Sequence, residues 1–169
     1  MTRPKRPILP EATYFITCVT YARRPLFANA ACAQIVAEQW KHYAVAYEFS
    51  LDAYSVLPDH AHVVLNVGQQ KTISQILNSV NSYIATLINR QLGNAIKVKI
   101  WEKRPWDEVI RNEAMYWQKV AYTLLNPWRA GLVEDPFDDY PHSNLREWIE
   151  GEGKEFMQDL FGRYRRRAE

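Results

Sequence analysis

The sequence predicts an α+β domain in which helices pack on a central antiparallel sheet. Short segments rich in β-branched and aromatic residues alternate along the chain with longer segments that have helical periodicity. The chain has 169 residues, and 47% of them are hydrophobic. A single domain of this size can therefore bury a substantial core.

The first half of the chain predicts three strands and one helix. Residues 14–20 are mostly β-branched or aromatic and predict the first strand. Apolar residues at helical spacing predict a helix over residues 29–47, with Asn29 as its N-cap. Residues 49–57 and 60–67 predict two further strands, joined by a turn that contains proline.

The second half predicts two more helices with a strand between them. An apolar stripe predicts a helix over residues 73–92, ended by Gly93 in a left-handed conformation. Residues 98–101 predict a short strand, and residues 113–125 predict a third helix that Asn126-Pro127 ends. The order strand, helix, strand, strand, helix, strand, helix is the split βαβ pattern of a ferredoxin-like domain. An active site could lie on the second face of the sheet, under the third helix.

Basic residues gather near both ends of the chain, and acidic residues lie between them. The net charge is only +2, so charge alone does not indicate a nucleic-acid-binding protein. The asymmetry permits a phosphate-binding face, although solvated termini have the same pattern. The basic residues are Arg3, Lys5, Arg6, Arg23, Arg24, Arg163, Arg165, Arg166 and Arg167.

The chain divides into a main domain of residues 1–145 and a charged, helix-like tail of residues 146–169, which we expect to be an appendage. Cys18 and Cys32 form no CxxC pair and suit free thiols in a reducing cytoplasm. The sequence has no apolar run of membrane-spanning length, and its basic N-terminus lacks the apolar stretch of a secretion signal. We therefore expect a cytoplasmic protein.

The strongest local signal is the pair His60 and His62 at the start of the third predicted strand. Side chains alternate across a strand, so both imidazoles point to one face, while Ala61 and Val63 point into the core on the other. Two imidazoles at this spacing can reach the same metal ion. Two surface histidines without a metal would have the same sequence, so the pair alone leaves both interpretations open.

A second signal lies near the predicted end of the third helix. Tyr122 and Asn126 are four residues apart and share a helix face. If that face covers the sheet, Asn126 could offer an amide oxygen to the same metal, and Tyr122 could offer its phenol to a bound phosphate. A packed core tyrosine and an asparagine that stops a helix before Pro127 are the alternative.

Further motifs occupy residues 8–145 in a fixed order. They are Tyr14-Phe15-Ile16-Thr17, Arg23-Arg24-Pro25-Leu26, Leu57-Pro58-Asp59-His60-Ala61-His62, Trp106-Asp107-Glu108-Val109-Ile110-Arg111-Asn112-Glu113, Tyr122 with Asn126-Pro127-Trp128-Arg129-Ala130-Gly131-Leu132-Val133, and Asp139-Tyr140-Pro141-His142-Ser143. Each motif alone is weakly specific. As an ordered set they resemble the REP-associated tyrosine transposases, a branch of the single-tyrosine HUH transposases of bacterial insertion sequences.

The resemblance implies a ferredoxin-like core and assigns roles to residues of this sequence. His60 and His62, separated by the hydrophobic Ala61, match the HUH metal motif. Tyr122 matches the nucleophile, and Asn126 matches the third metal ligand. The implied cofactor is a divalent metal, magnesium or manganese. The implied partner is single-stranded DNA with hairpins, the repetitive extragenic palindromes, beside which the family cuts and rejoins DNA.

The implied function is that of a metal-dependent single-stranded DNA endonuclease and strand-transferase. The metal would orient the scissile phosphate, and Tyr122 would attack it to give a 5′-phosphotyrosine and a free 3′-hydroxyl. Reversal of this step joins DNA without a nucleotide cofactor. Arg104, Arg111 and Arg129 lie close in sequence to these motifs and are candidate contacts to DNA phosphates.

Other interpretations compete with this one. A domesticated protein could bind hairpin DNA without cleaving it. A metallohydrolase could use the two histidines with activated water, although only His42 and His142 remain as further histidine ligands. A purely structural domain is a third interpretation, which the ordered motifs disfavour. A homodimer also remains open, because some HUH transposases exchange the tyrosine helix between two subunits.

Overall fold

The structure is a computed structural model that describes residues 11–165. The predicted basic clusters at the chain ends include Arg3, Lys5, Arg6, Arg166 and Arg167, which lie outside the described residues. Every helix within residues 11–165 is too short or too polar to span a lipid bilayer.

The described residues form a four-stranded sheet and five α-helices. The strands are β1 (Thr13–Val19), β2 (Ser50–Leu57), β3 (His60–Asn66) and β4 (Trp106–Val109). The helices are α1 (Ala30–Ala46), α2 (Ile73–Gln91), α3 (Glu113–Arg129), α4 (Leu145–Glu152) and α5 (Lys154–Tyr164). Two short 3-10 helices, Tyr21–Arg23 and Leu26–Ala28, connect β1 to α1.

The sheet has the strand order β2-β3-β1-β4, and each neighbouring pair is antiparallel. Helices α1 and α2 share a core with one face of the sheet, and α3 packs on the other face. This is the βαββαβ arrangement of a ferredoxin-like domain. The predicted fold class is therefore confirmed.

The first core lies between the sheet and helices α1 and α2. Asn29 caps α1 by accepting hydrogen bonds from two backbone N–H groups of the first turn. Thr72 and Gln75 form a capping box at the start of α2, and Gly93 follows its end with a φ of 65°. Cys18 and Cys32 are buried on this side and form no disulfide. The predicted N-cap at Asn29 and the predicted left-handed Gly93 are therefore confirmed.

Helix α3 is longer than the sequence predicts, because it continues through Asn126-Pro127 to Arg129. Pro127 has no N–H to donate to the carbonyl of Thr123, four residues earlier. The hydroxyl of Ser55 on β2 donates to that buried carbonyl instead, at 2.8 Å. The carbonyl has a partner, so the helix passes through the proline, and the predicted end at residue 125 is wrong.

The predicted strand over residues 98–101 is also wrong, and the fourth strand is β4, five residues further on. The side-chain amide of Asn89 bonds both the N–H and the carbonyl of Val98. The carbonyl of Ile100 accepts from the N–H of Tyr21. This segment therefore crosses the end of β1 instead of pairing along it, and β4 takes the edge of the sheet beside β1.

Helices α4 and α5 build a second core around α3. The buried residues of this core are Phe15, Ala53, Val64, Val120, Ala121, Leu124, Leu125, Leu145, Met157, Leu160 and Phe161. The helical character predicted for the tail agrees with α4 and α5. Residues on both sides of position 145 share this core. The predicted division of the chain into a main domain of residues 1–145 and a tail of residues 146–169 stays a prediction.

The bond between Ser55 and Thr123 yields a stability prediction. Ser55→Ala should lower the free energy of unfolding by about 1–3 kcal/mol, because it leaves a buried carbonyl without a donor. Pro127→Ala restores an N–H at the position where the helix would normally supply one. In urea titrations, the free energy of unfolding of the double variant should therefore fall by less than the sum of the losses in the two single variants. A double variant that loses the full sum of the two single effects would contradict this explanation.

Candidate active site

A row of four residues crosses the sheet on the face that α3 covers. The register pairs Ser55 with His62, His62 with Thr17, and Thr17 with Trp106. Directly paired residues of antiparallel strands point to the same face. His62 is therefore flanked by the serine that holds α3 and by a threonine that can bond its ring.

His60 lies on the same face at the start of β3, and its Nδ1 is 2.6 Å from the carboxylate of Asp59. Asp59 also accepts from the guanidinium of Arg23 at 3.2 Å. Burial opposes the charge of Asp59, but hydrogen bonds from His60 and Arg23 and their positive charge lower the pKa of its carboxyl. An ionised carboxylate at Nδ1 orients the ring and leaves Nε2 as the nitrogen available to a ligand.

His62 is almost fully buried, and its Nδ1 is 3.0 Å from the hydroxyl of Thr17. Its ring stacks on Phe15, with centroids 5.3 Å apart. Burial, together with the charges of His60 and Lys119, lowers the pKa of His62 to about 3. The imidazole is therefore neutral near pH 7, and its Nε2 can serve as a metal ligand.

Tyr122 on α3 stands against His62, with ring centroids 5.3 Å apart and the rings edge to face. The rings of His60 and His62 are 4.7 Å apart. Tyr122 is 39% exposed, whereas most of the residues around it in α3 are buried. The structure thus brings together the two predicted metal ligands and the predicted nucleophile at one solvent-accessible point.

Three further residues share the face of α3 that carries Tyr122. Lys119, one turn earlier, lies with its Nζ 2.9 Å from Glu108 on β4 and 4.5 Å from the centre of the Phe15 ring. Asn126, one turn later, is buried, and its Nδ2 donates to the carbonyl of Tyr122. Its Oδ1 is therefore the atom available as a ligand. Arg129 completes the face.

Arg129 holds its guanidinium carbon 5.2 Å from the centre of the Tyr122 ring. One of its terminal nitrogens, Nη1, is buried and has no hydrogen-bond partner within the described part of the chain. Burial lowers the pKa of this guanidinium, which still stays charged at neutral pH. A buried cationic donor without a partner is costly, so Arg129 is a candidate contact for an anionic ligand that reaches Tyr122.

Within residues 11–165, no three His, Cys, Asp or Glu side chains form a cluster that could hold a metal. A metal at His60 and His62 would therefore need an oxygen ligand of another kind. The amide oxygen of Asn126 is of that kind, and mixed imidazole and oxygen ligation suits a divalent ion with open positions.

The other two predicted phosphate contacts lie away from this point. Arg104 is exposed and lines a cleft of about 540 Å³ between α2 and residues 97–105. Arg111 is also exposed, and it follows β4 at the opposite end of the sheet, beyond the pairing of Val109 with Tyr14. Only Arg129 of the three predicted arginines lies beside Tyr122.

A sequence model of the family described as "Transposase IS200 like" matches residues 9–109, a region that includes both histidines. The chain belongs to this family. The expected membership of a transposase family, and with it an enzyme, is confirmed. The predicted roles of His60, His62, Tyr122, Asn126 and Arg129 stay predictions, and the last three residues lie beyond the matched region.

Two relatives and one solved structure agree with this family. A Haemophilus influenzae protein provisionally named a REP-associated tyrosine transposase is 24% identical over 163 residues, which cover 90% of each chain. An Escherichia coli REP-associated tyrosine transposase is 32% identical over 100 residues, 57% of this chain and 54% of that protein. A structure of a REP-associated tyrosine transposase bound to a REP hairpin matches with a TM-score of 0.74 at 22% identity, covering 90% of this chain and 87% of that one. This structural similarity supports the fold described above.

Four residues of the site have no role in the sequence-based prediction. Asp59 and Lys119 carried usable signals, because one adjoins His60 and the other lies three residues before Tyr122 on a helix. Thr17 and Ser55 could be placed beside His62 only once the strand register was known. Sequence spacing finds neighbours within an element but not across strands.

The buried, neutral His62 should make folding depend on pH in the metal-free protein. Its folded pKa of about 3 lies below the ordinary 6.5, so between these values the unfolded chain binds a proton that the folded chain does not. The stabilisation of the folded state by the neutral His62 is present in full above pH 6.5. As the pH falls below 6.5, the free energy of unfolding should decrease by about 1.4 kcal/mol per pH unit.

Urea titrations between about pH 7 and pH 4 in EDTA would measure this slope. The His62→Gln variant is the control, since the contributions of other groups cancel in the difference between the two proteins. Equal slopes for both proteins, or an imidazole NMR signal of His62 that titrates near pH 6.5, would contradict the prediction.

Proposed function

We propose that the chain is a metal-dependent single-stranded DNA endonuclease and strand-transferase that acts beside hairpins in palindromic repeats. The observation that carries the proposal is the exposed Tyr122 phenol, which stands edge to face against the neutral, buried His62. The names of the two relatives and the hairpin bound in the related structure support DNA hairpins as the substrate class.

His60, His62 and Asn126 are the residues that would hold a divalent magnesium or manganese ion. Both Nδ1 atoms are engaged, one with Asp59 and one with Thr17, so both Nε2 atoms are available. The neutral state of His62 keeps its lone pair free for ligation. The donor set therefore fits the ion. When bound, such an ion withdraws charge from a scissile phosphate and orients it for in-line attack.

The reacting group of the chain is the phenol oxygen of Tyr122. It forms a bond to phosphorus as the bond between phosphorus and the 3′ oxygen breaks, which leaves a 5′-phosphotyrosine and a 3′-hydroxyl. The phenol loses its proton, and the departing 3′ oxygen gains one. The attack of a 3′-hydroxyl on the phosphotyrosine reverses the step and joins DNA, so no nucleotide cofactor is required.

Arg129 favours this step. Its guanidinium lies against the ring of Tyr122, and its Nη1 is buried and has no hydrogen-bond partner among the described residues. In the proposed reaction, this guanidinium donates to a phosphate oxygen whose charge grows in the transition state. Lys119 lies one turn before Tyr122, and its charge is paired with Glu108. Arg104 and Arg111 are proposed as more distant contacts to DNA phosphates.

Tyr122→Phe should abolish covalent attachment to DNA while leaving binding intact, because it removes one oxygen and keeps the ring against His62 and Phe15. The measurement is a denaturing gel of the protein incubated with a hairpin oligonucleotide from a palindrome beside its own gene, with magnesium or manganese. Tyr83→Phe, an exposed tyrosine on α2, is the matched control and should react normally. EDTA should also remove the covalent band.

The gel separates the proposal from its main competitor. A covalent band that is lost with Tyr122→Phe and with EDTA would support the nuclease and strand-transferase. Hairpin binding by the unmodified protein without cleavage under either metal would contradict it and indicate a hairpin-binding protein. Cleavage that persists in Tyr122→Phe would exclude Tyr122 as the nucleophile.

Arg129→Ala should slow cleavage by about 10²–10³-fold, the usual effect of losing one donor to a developing oxyanion. Arg129→Lys should lie between this variant and the unmodified protein, because lysine keeps the charge but not the planar donor geometry. Arg146→Ala removes an exposed arginine of α4 and controls for net charge. An Arg129→Ala rate equal to that of Arg146→Ala would show that Arg129 does not contact the reacting phosphate.

A further inference from the structure

Trp106 is the outermost member of the row that contains His62, and it is 60% exposed. Its strand partner is Thr17, whose hydroxyl bonds His62. Two strand spacings, about 10 Å, separate the backbone of Trp106 from that of His62. Single exposed aromatic residues are common on protein surfaces, so it is the position of Trp106 beside the site that gives it significance.

The alternation of β4 fixes the direction of this indole. Glu108, two residues later, bonds Lys119 on α3, so Glu108 points to the face that carries the site. Trp106 points to the same face, because side chains two residues apart on a strand do so. Helix α3 packs mainly over β2 and β3, so the start of β4 lies outside the area that α3 covers and forms a shelf at the edge of the site.

We infer that Trp106 is a stacking platform for an unpaired nucleobase next to the scissile phosphate. The inference rests on the proposed function, because it takes the substrate to be single-stranded DNA at Tyr122. An indole offers a wide apolar surface, and every base has a face that can stack on it, whatever the sequence. A DNA strand that places a phosphate at Tyr122 would pass close enough to this shelf to stack a neighbouring base.

The other tryptophans among the described residues are less accessible, which singles out Trp106 as the platform. Trp101 packs against Phe27 and donates its indole N–H to a backbone carbonyl of α2. Trp117 and Trp148 contact each other within the second core. Each of these three rings is less exposed than that of Trp106.

The experiment measures binding in the Tyr122→Phe background, so that no DNA is cut. The probes are a hairpin oligonucleotide with single-stranded extensions and a set of copies in which one extension nucleotide at a time is abasic. Trp106→Ala should weaken binding of the complete oligonucleotide by about 5- to 150-fold. Trp106→Phe should keep most of the affinity. Tyr83→Ala, which also removes an exposed aromatic ring, should bind as tightly as the parent protein.

The abasic probes locate the contact. At one position of the strand, the loss caused by the missing base and the loss caused by Trp106→Ala should not add, because both remove the same stacking interaction. Binding that is unchanged in Trp106→Ala would overturn the inference alone, as would additive losses at every position. If the parent protein binds none of the oligonucleotides, the proposed function fails, and the platform fails with it.

Discussion

The hydrogen bond between the hydroxyl of Ser55 and the carbonyl of Thr123 fixes helix α3 above the sheet. It exists because Pro127 cannot donate to that carbonyl, so the helix has an acceptor that the sheet can use. Ser55 pairs with His62 in the sheet, and Thr123 follows Tyr122 in the helix. One buried bond therefore ties the helix that carries the proposed nucleophile to the strand beside the histidines.

The sheet side and the helix side of the site differ in charge, because the buried His62 is neutral and Arg129 is positive. On the sheet, burial keeps the imidazole of His62 neutral, and the nearby cations oppose its protonation further. On the helix, the guanidinium of Arg129 lies against the Tyr122 ring, whereas the charge of Lys119 is paired with Glu108. Under the proposed function, a neutral His62 suits metal ligation and Arg129 suits contact with an anionic phosphate.

The sequence predicted the parts of the site that depend on periodicity within one element. Alternation placed His60 and His62 on one face, and the spacing of four placed Tyr122 with Asn126 on one helix face. It did not predict Ser55 or Thr17 beside His62, because register between strands is set by the whole sheet. The end predicted for α3 before Pro127 is wrong for the same reason: Ser55, whose hydroxyl satisfies the carbonyl of Thr123, lies 68 residues before Thr123 on another element.

The C-terminal helices matter to the chemistry although none of their residues lies at the site. Tyr122 and Asn126 belong to one helix, so any displacement of α3 moves the proposed nucleophile and the proposed third ligand together, relative to the histidines on the sheet. Met157, Leu160 and Phe161 of α5 are buried against α3, and the apolar area they remove from water opposes such a displacement. Since close packing makes a core stiff, the second core supplies the precision that two catalytic elements on separate layers would otherwise lack.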